Sequence, residues 1–287
     1  MTTWFITGAS RGFGLEIARQ ALERGDSVIA TARDTAAVAA ALPGFAERLL
    51  PVQLDVTDED AARQAVAAGL ARFGRIDVLV NNAGRGLLGT VEEVSDAEVR
   101  AVFDTNVFGL LAVTRALLPV FRAQRSGKIL NLSSVGGVVS WAGWGAYCAT
   151  KFAVEGFSEA LRLELAPLGV QVTSVQPGPF RTDFLDASSL VRSATVIEDY
   201  AASGGVMRDW ADDTNHAQEG DPVKAAEVIL AVTDREVLPA RLPLGSSCVA
   251  DIEGHLAEVT QELADLRDLA VSTDFAGVAA GSSLPRG

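Results

Sequence analysis

Histidine and cysteine are almost absent from this chain, with two of each in 287 residues. Cys148 and Cys248 lie far apart, and neither has a histidine at metal-ligand spacing, so neither a disulfide framework nor a zinc site is suggested. His216 and His255 read as solvated positions on helices or loops, which leaves no histidine for a catalytic triad. Positive charge is also scarce: 24 Lys and Arg against 37 Asp and Glu leave a net charge of −13. Such a surface disfavours nucleic acid and anionic membranes as partners. Any local cluster of arginines then marks a place for an anionic ligand. A strand pattern begins at Thr3 and leaves no room for a secretory leader. No apolar run of the ~18 residues needed to span a bilayer is evident. The expectation is a cytoplasmic protein. Asn131-Leu132-Ser133 has the form of a glycosylation sequon, but it falls in a strand expected to be buried and is set aside.

What the chain does have is apolar residues, 48% of it, arranged in short β-type runs that alternate with helical ones. Residues 4–7, 27–31, 50–54, 76–80, 128–132 and 170–175 read as strands. Residues 12–24, 59–73, 95–124 and 147–165 read as helices, the third opening on Ser95 with Glu98 three residues on, the pattern of a capping box. Strands without strict alternation, each followed by a helix, predict a parallel sheet covered on both faces. The fold class is therefore α/β, a doubly wound, Rossmann-like three-layer sandwich. Ligands of such sheets bind at the C-terminal ends of the strands. After Pro177 the pattern weakens. Residues 178–220 are expected to form a substrate lid, helices are expected at 221–233 and 252–270, and 276–287 are expected to be a disordered tail. Residues 1–275 would make one domain.

The first strand runs into Gly8-Ala9-Ser10-Arg11-Gly12-Phe13-Gly14. Gly8, Gly12 and Gly14 remove Cβ atoms where the backbone turns sharply, and the following helix start suits a pyrophosphate. Gly8 to Gly12 also fits the Gly-x-Ser-x-Gly elbow of hydrolases, but that elbow needs a downstream histidine and earlier strands. The second strand ends without an acid, and Arg33 stands just past it. Arg11 and Arg33 would both approach the adenosine ribose, where two guanidiniums suit the extra phosphate of NADP(H) over NAD(H). Asp34 competes as a partner for Arg33.

Four further segments carry a resemblance: Asn81-Asn82-Ala83-Gly84, Asn106 in the long helix, Ser134 after the fifth strand, and Tyr147-Cys148-Ala149-Thr150-Lys151. With the glycine turn they resemble the short-chain dehydrogenase/reductase family, over residues 3 to 183. The resemblance implies Tyr147 as proton donor or base, Lys151 on the nicotinamide ribose lowering the Tyr147 pKa, and Ser134 on the substrate oxygen. It implies Asn106 holding a relay water, Asp55 at the adenine with Val56 beside it, and Asn82, Ala83 and Gly84 along the cofactor. Ser10 and Phe13 belong to the glycine turn; Pro177, Gly178, Phe180 and Thr182 would form the nicotinamide end. Residue chemistry agrees on one point: Tyr147 and Lys151 are four apart and share a helix face. A phenol titrates near ~10, so bringing it to neutrality takes about 4 kcal/mol of preference for the phenolate, of the kind an ammonium supplies.

Val138, Val139, Trp141, Trp144, Phe180, Phe184, Leu185 and Trp210 suggest an apolar pocket for a hydrophobic ketone, aldehyde or alcohol. By the resemblance, helices 95–124 and 147–165 would pair subunits into a homodimer or homotetramer. The competing class is a protein that binds NADP(H) without turnover, a sensor or scaffold. Retention of Asn106, Ser134, Tyr147 and Lys151 together argues against it.

Overall fold

The computed structural model describes residues 1–275 and 277. The expected disordered tail, 276–287, lies almost wholly outside them. In chain order the elements are β1 (Thr3–Thr7), α1 (Gly12–Glu23), β2 (Ser27–Ala32), α2 (Thr35–Ala41), β3 (Leu49–Gln53), α3 (Glu59–Phe73), β4 (Val78–Asn81), β5 (Gly86–Leu88), α4 (Asp96–Phe103), α5 (Leu110–Gln124), β6 (Gly127–Leu132), α6 (Gly145–Leu165), β7 (Val170–Pro177), β8 (Leu190–Arg192), α7 (Val206–Thr214), α8 (Pro222–Thr233), β9 (Arg241–Leu244) and α9 (Ser246–Val271). Seven strands form one parallel sheet in the order β3-β2-β1-β4-β6-β7-β9. Every named pairing in it is parallel. The order reverses between β1 and β4, which opens a crevice above their C-terminal ends.

One core fills each face of the sheet. Trp4, Ile6, Val28, Val80 and Leu130 point to the side covered by α1 and α8. Phe5, Ile29, Leu79, Ile129 and Val172 point to the side of α3 and α5. Alternate residues of one strand serve opposite faces, so both must be apolar, and this is why strict polar alternation is missing from the sequence. A polar thread runs through the second layer. Asn81 Nδ2 donates to the Thr114 hydroxyl and to Asn131 Oδ1, both at 2.9 Å, and Asn131 Nδ2 donates to Ser158 Oγ at 2.9 Å. Asn81 and Asn131 sit side by side in the register of β4 and β6. The Asn131 side chain is fully buried, in keeping with its dismissal as a glycosylation site.

Several elements differ from expectation, among them the unforeseen helices α2 and α7. The helix of 95–124 is continuous but opens into a π-helical turn at Asp104–Gly109, which separates α4 from α5. By length and composition the stretch Asp96–Gln124 is apolar enough to cross a membrane, contrary to the reading above; half of it is buried inside the fold, as in a core helix. β9 is an additional edge strand, short and interrupted by Pro243, which an edge position tolerates. β5 and β8 pair in a separate two-stranded sheet.

That small sheet explains why residues 178–220 are not structureless. The segment leaves β7 and returns beside its own start, where Phe180 bridges Gly220. Its middle is held by Glu93, whose side chain is buried among partners. The Thr90 and Ile197 N–H groups donate to its carboxylate at 2.8 and 2.9 Å, and Arg208 pairs with it. The Arg208 bond, outweighing the cost of burial, brings the Glu93 pKa down to about 2 from its ordinary 4.5. A carboxylate depressed in this way contributes stability that is present above pH ~4.5 and lost as pH falls toward 2. Glu93→Ala would leave Arg208 uncompensated and lower unfolding stability by about 3–5 kcal/mol. Urea unfolding at neutral pH measures this; a midpoint equal to wild type would strip Glu93 of the role.

Candidate active site

Six strand ends and the segment after β7 surround a cleft of about 1400 Å³. Its first wall is the turn from β1 to α1. Gly8 and Gly12 have φ of 64° and 56°, the left-handed region that favours glycine. A Cβ on Gly14 would lie 2.5 Å from both the Gly8 carbonyl and Asn82 Nδ2. Thr7 Oγ donates to the Val80 carbonyl and accepts from the N–H groups of Asn82 and Ala83. Asn82 Nδ2 returns bonds to the Thr7 and Gly8 carbonyls at 2.8 and 3.0 Å. The turn and the Asn82–Gly84 strand end are thus one bonded unit.

The start of α1 is chemically unlike the starts of α2, α3, α4 and α8. Those four are capped by Asp34, Asp58, Ser95 and Asp221. At α1 the capping position is Arg11, with no side-chain bond to the helix N–H groups. A first turn with free donors and a positive dipole end, facing a cleft and cleared of Cβ atoms, suits an anionic group such as a pyrophosphate.

At the outer end, Arg33 is exposed and makes no ion pair among the described residues. Asp34 does not compete for it, because its carboxylate caps α2 through the N–H groups of Ala36 and Ala37. Asp55 accepts from the Thr57 N–H and hydroxyl, and these bonds, with the charge of Arg33 nearby, hold its carboxyl below the usual range. Arg11 departs from its expected place. Its guanidinium reaches across to the opposite wall and donates to Ser188 Oγ, the Ser188 carbonyl and Ser189 Oγ.

At the inner end Tyr147 stands in the first turn of α6, with Lys151 one turn on. Both are buried, 8% and 7% exposed, in an otherwise open cleft. Lys151 Nζ donates to the Leu132 carbonyl at 2.7 Å and lies 5.8 Å from the Tyr147 ring centre. Trp144 and Phe184 pack on the phenol ring with centroids 5.7 and 5.5 Å away. Burial pushes the phenol pKa upward, against a hydrogen bond with Ser134 that pulls it down. Burial pushes the Lys151 ammonium down to about 8, with Glu155 opposing. The expected lowering of the phenol by Lys151 is therefore not produced by these side chains alone. Desolvation dominates both groups, and the hydrogen bond of the ammonium goes to the Leu132 carbonyl.

Ser134 lies two residues past β6 in extended conformation and accepts from the Gly136 N–H at 3.0 Å. Asn106 lies in the π-helical turn. Its Nδ2 donates to the Arg85 carbonyl and the Thr150 hydroxyl, and its Oδ1 accepts from the Arg85 N–H. Both hydrogens of that amide are used, so it clamps β5's approach to α6, and a relay water is left only its acceptor side. On the floor, Phe13 and Phe180 meet edge to face at 5.1 Å, and Thr182 faces Gly12.

Of the catalytic and cofactor-binding residues expected from sequence, only Gly14 and Asn106 do not line the cleft, and both brace residues that do. Trp141, Trp144, Phe184, Leu185 and Trp210 line it as expected; Val138 and Val139 do not. Met207, Gln218, Ser247 and Asp251 line it without having been foreseen. They arrive from α7, α8's approach and the root of α9, and no local motif marks them.

Known proteins with this arrangement are numerous. A family model described as short chain dehydrogenase matches residues 2–191. An oxidoreductase of Botryotinia fuckeliana is 41% identical over 89% of this chain and 93% of its own length. A 3-ketodihydrosphingosine reductase of Bacteroides thetaiotaomicron is 39% identical over 84% and 86%. The crystal structure of a short-chain dehydrogenase from Streptomyces avermitilis superposes with a TM-score of 0.89 at 42% identity, covering 96% of this chain and all of that one. A serine dehydrogenase solved in complex with NADP+ gives 0.72 at 27% identity over 98% of this chain and all of that one. On the family match and these identities, the chain belongs to the short-chain dehydrogenase family of oxidoreductases.

Proposed function

We propose that the protein is an NADP(H)-dependent oxidoreductase that interconverts a hydrophobic ketone or aldehyde and its alcohol. The single observation that carries this reading is the pairing of an uncapped helix start with a buried Tyr147–Lys151–Ser134 cluster at opposite ends of one cleft. When bound, the nicotinamide dinucleotide supplies the hydride. The free N–H groups of α1 and the glycine turn hold its pyrophosphate. Arg33, with no carboxylate partner of its own, holds the 2′-phosphate; Arg11 joins it only by leaving Ser188 and Ser189. Asp55 and Val56 border the adenine, and Pro177, Gly178, Phe180 and Thr182 border the nicotinamide. The NADP+ complex of the serine dehydrogenase supports the cofactor, and the reductase from Bacteroides thetaiotaomicron supports a carbonyl substrate.

In the reductive direction the phenol of Tyr147 donates its proton to the carbonyl oxygen, and Ser134 donates a hydrogen bond to the same oxygen. Lys151 supplies the positive charge that steadies the phenolate left behind. Trp141, Trp144, Phe184 and Trp210 clothe an apolar substrate, with residues 178–220 as the lid over it. Exposed Phe108 before α5, and Phe152, Phe157 and Leu163 on α6, offer the faces on which subunits would pair.

Turnover should follow NADPH absorbance across a panel of hydrophobic carbonyls. Tyr147→Phe is expected to lower kcat by about 10²–10⁴ while the NADPH dissociation constant stays within about twofold; retained turnover would remove Tyr147 from the reaction. Arg33→Ala should weaken NADPH by about 10–100-fold, the worth of one charge-assisted hydrogen bond, and spare NADH. Equal losses for both cofactors would take the phosphate away from Arg33. Reduction needs Lys151 charged, and its pKa lies at about 8. The rate should hold below that pH and fall as pH rises through it, and a profile flat from pH 7 to about 9 would sever the rate from Lys151.

A further inference from the structure

The last helix does something the cleft does not require. From residue 256 to 271 every residue of α9 is exposed, although its root is fixed: Cys248 is fully buried and its thiol donates to the Gln176 carbonyl at 3.1 Å. Sixteen residues of helix, about 24 Å long, therefore leave the body of the protein. A free helix of that length is marginal in water unless an apolar face finds a partner.

Such a face is present. Ile252, Leu256, Val259, Leu263, Leu266 and Ala270 follow one another in alternating steps of four and three. This is the a/d spacing of a two-stranded coiled coil rather than the broader stripe of a helix packed on a domain. Leu256, Val259, Leu263 and Leu266 are 53%, 43%, 59% and 56% exposed. With Leu269 at 70% they leave on the order of 500 Å² of apolar surface uncovered, more than scattered surface residues account for.

We propose that α9 pairs antiparallel with α9 of a second copy of this chain, about a two-fold axis at Gln261. In that register Leu256 meets the partner's Leu266, Val259 meets the partner's Leu263, and Ile252 meets the partner's Ala270. The four exposed apolar residues at a and d positions are all used, each layer joins an a position to a d position, and Leu269 flanks the seam at a g position. Pairing, with Leu269 covered at the edge of the seam, would bury about 1000 Å² in total, the threshold of a specific contact, so the dissociation constant belongs in the micromolar range.

Orientation follows from the root of the helix. Ile252 and His255 are already half-buried against their own chain, so a parallel pair would crowd two bodies at the roots. The antiparallel pair sets the bodies at opposite ends. Charge does not decide it: in the antiparallel pair Glu253 falls beside the partner's Arg267, twice by symmetry. Neither residue is in an ion pair among the described residues. One unfavourable contact remains, Glu262 against the partner's Glu262 at the middle. A parallel pair would instead put Glu262 beside the partner's Arg267.

Sedimentation velocity of the full chain at tens of micromolar tests this. Leu263→Asp, on a fully exposed turn far from the cleft, should weaken one association step at least about 30-fold and halve the mass of the largest species, with turnover unchanged. Glu262→Gln should tighten that step by about 2–5-fold, and Glu253→Arg should loosen it. A mass unaffected by Leu263→Asp, or a wild-type chain that sediments only as monomer, would overturn the pairing. Flotation of the wild type, but not of Leu263→Asp, with phosphatidylcholine vesicles would assign the stripe to lipid and overturn it too. Loosening by Glu262→Gln would overturn the antiparallel register. Assembly through α5 and α6 survives Leu263→Asp, so failure here and failure of the oligomer proposed above are separable.

Discussion

A parallel sheet ends, at its C-terminal edge, in peptide groups that no neighbouring strand can satisfy, and in this protein side chains of the cleft satisfy them. Lys151 donates to the Leu132 carbonyl at the end of β6. Asn82 donates to Thr7 and Gly8 at the end of β1, and Cys248 to Gln176 near the end of β7. Asn106 closes both backbone groups of Arg85, just past β4. A buried peptide group left without a partner costs about 1–3 kcal/mol. The same residues that line or brace the cleft therefore keep its rim folded, and their positions are held by backbone geometry rather than by side-chain packing alone.

That arrangement has an electrostatic consequence. Lys151 and Tyr147 are buried together, and desolvation moves each toward its neutral form, the ammonium down to about 8 and the phenol upward. The pair is consequently poised rather than activated. An acidic phenol requires further positive charge beside the ring, or a closer approach of the ammonium to the hydroxyl. Reasoning from the four-residue spacing alone counts the attraction of the cation and omits the cost of burying both groups. Where burial is this deep, desolvation is the larger effect.

Much of the site is legible in the sequence because it is local. The glycine turn, Asn82 to Gly84 and the Tyr147–Lys151 pair each occupy one strand end or one helical turn, and spacing alone places them. The six strands expected from sequence are legible for a similar reason, since a doubly covered sheet demands unbroken apolar runs. What escapes is set by distant contacts. β9 holds four residues, one of them Pro243, and becomes a strand only because β7 offers an open edge. β5 and β8 are three residues each and acquire meaning from one another across a hundred positions. The π-helical turn at Asn106 leaves no trace in periodicity, because one extra residue in a helix shifts the stripe by less than a turn. The reach of Arg11 to Ser188 depends on where a long excursion returns. The end of α9 is written plainly in alternating fours and threes, yet periodicity shows a helix and not whether its own body covers it.

Rigidity is distributed unevenly as a result. Beneath the cleft, Asn81, Asn131, Thr114 and Ser158 lock β4, β6, α5 and α6 through buried hydrogen bonds, where a low local dielectric strengthens each bond. Above it, the excursion of residues 178–220 packs Leu185, Leu190 and Ala211 against Trp144 and Tyr147, and its ties include four of different kinds: the bridge of Phe180 to Gly220, the short β5–β8 pair, the Glu93 cluster and the Arg11 contacts. Three of these are backbone or buried ion-pair contacts at its ends and middle. The fourth, Arg11, is partly exposed and sits in the glycine turn itself, where an anion bound to the start of α1 would compete for the same guanidinium. A partly exposed tie of the upper wall thus sits at the anion-binding turn, while buried ones hold the ends and middle of the excursion.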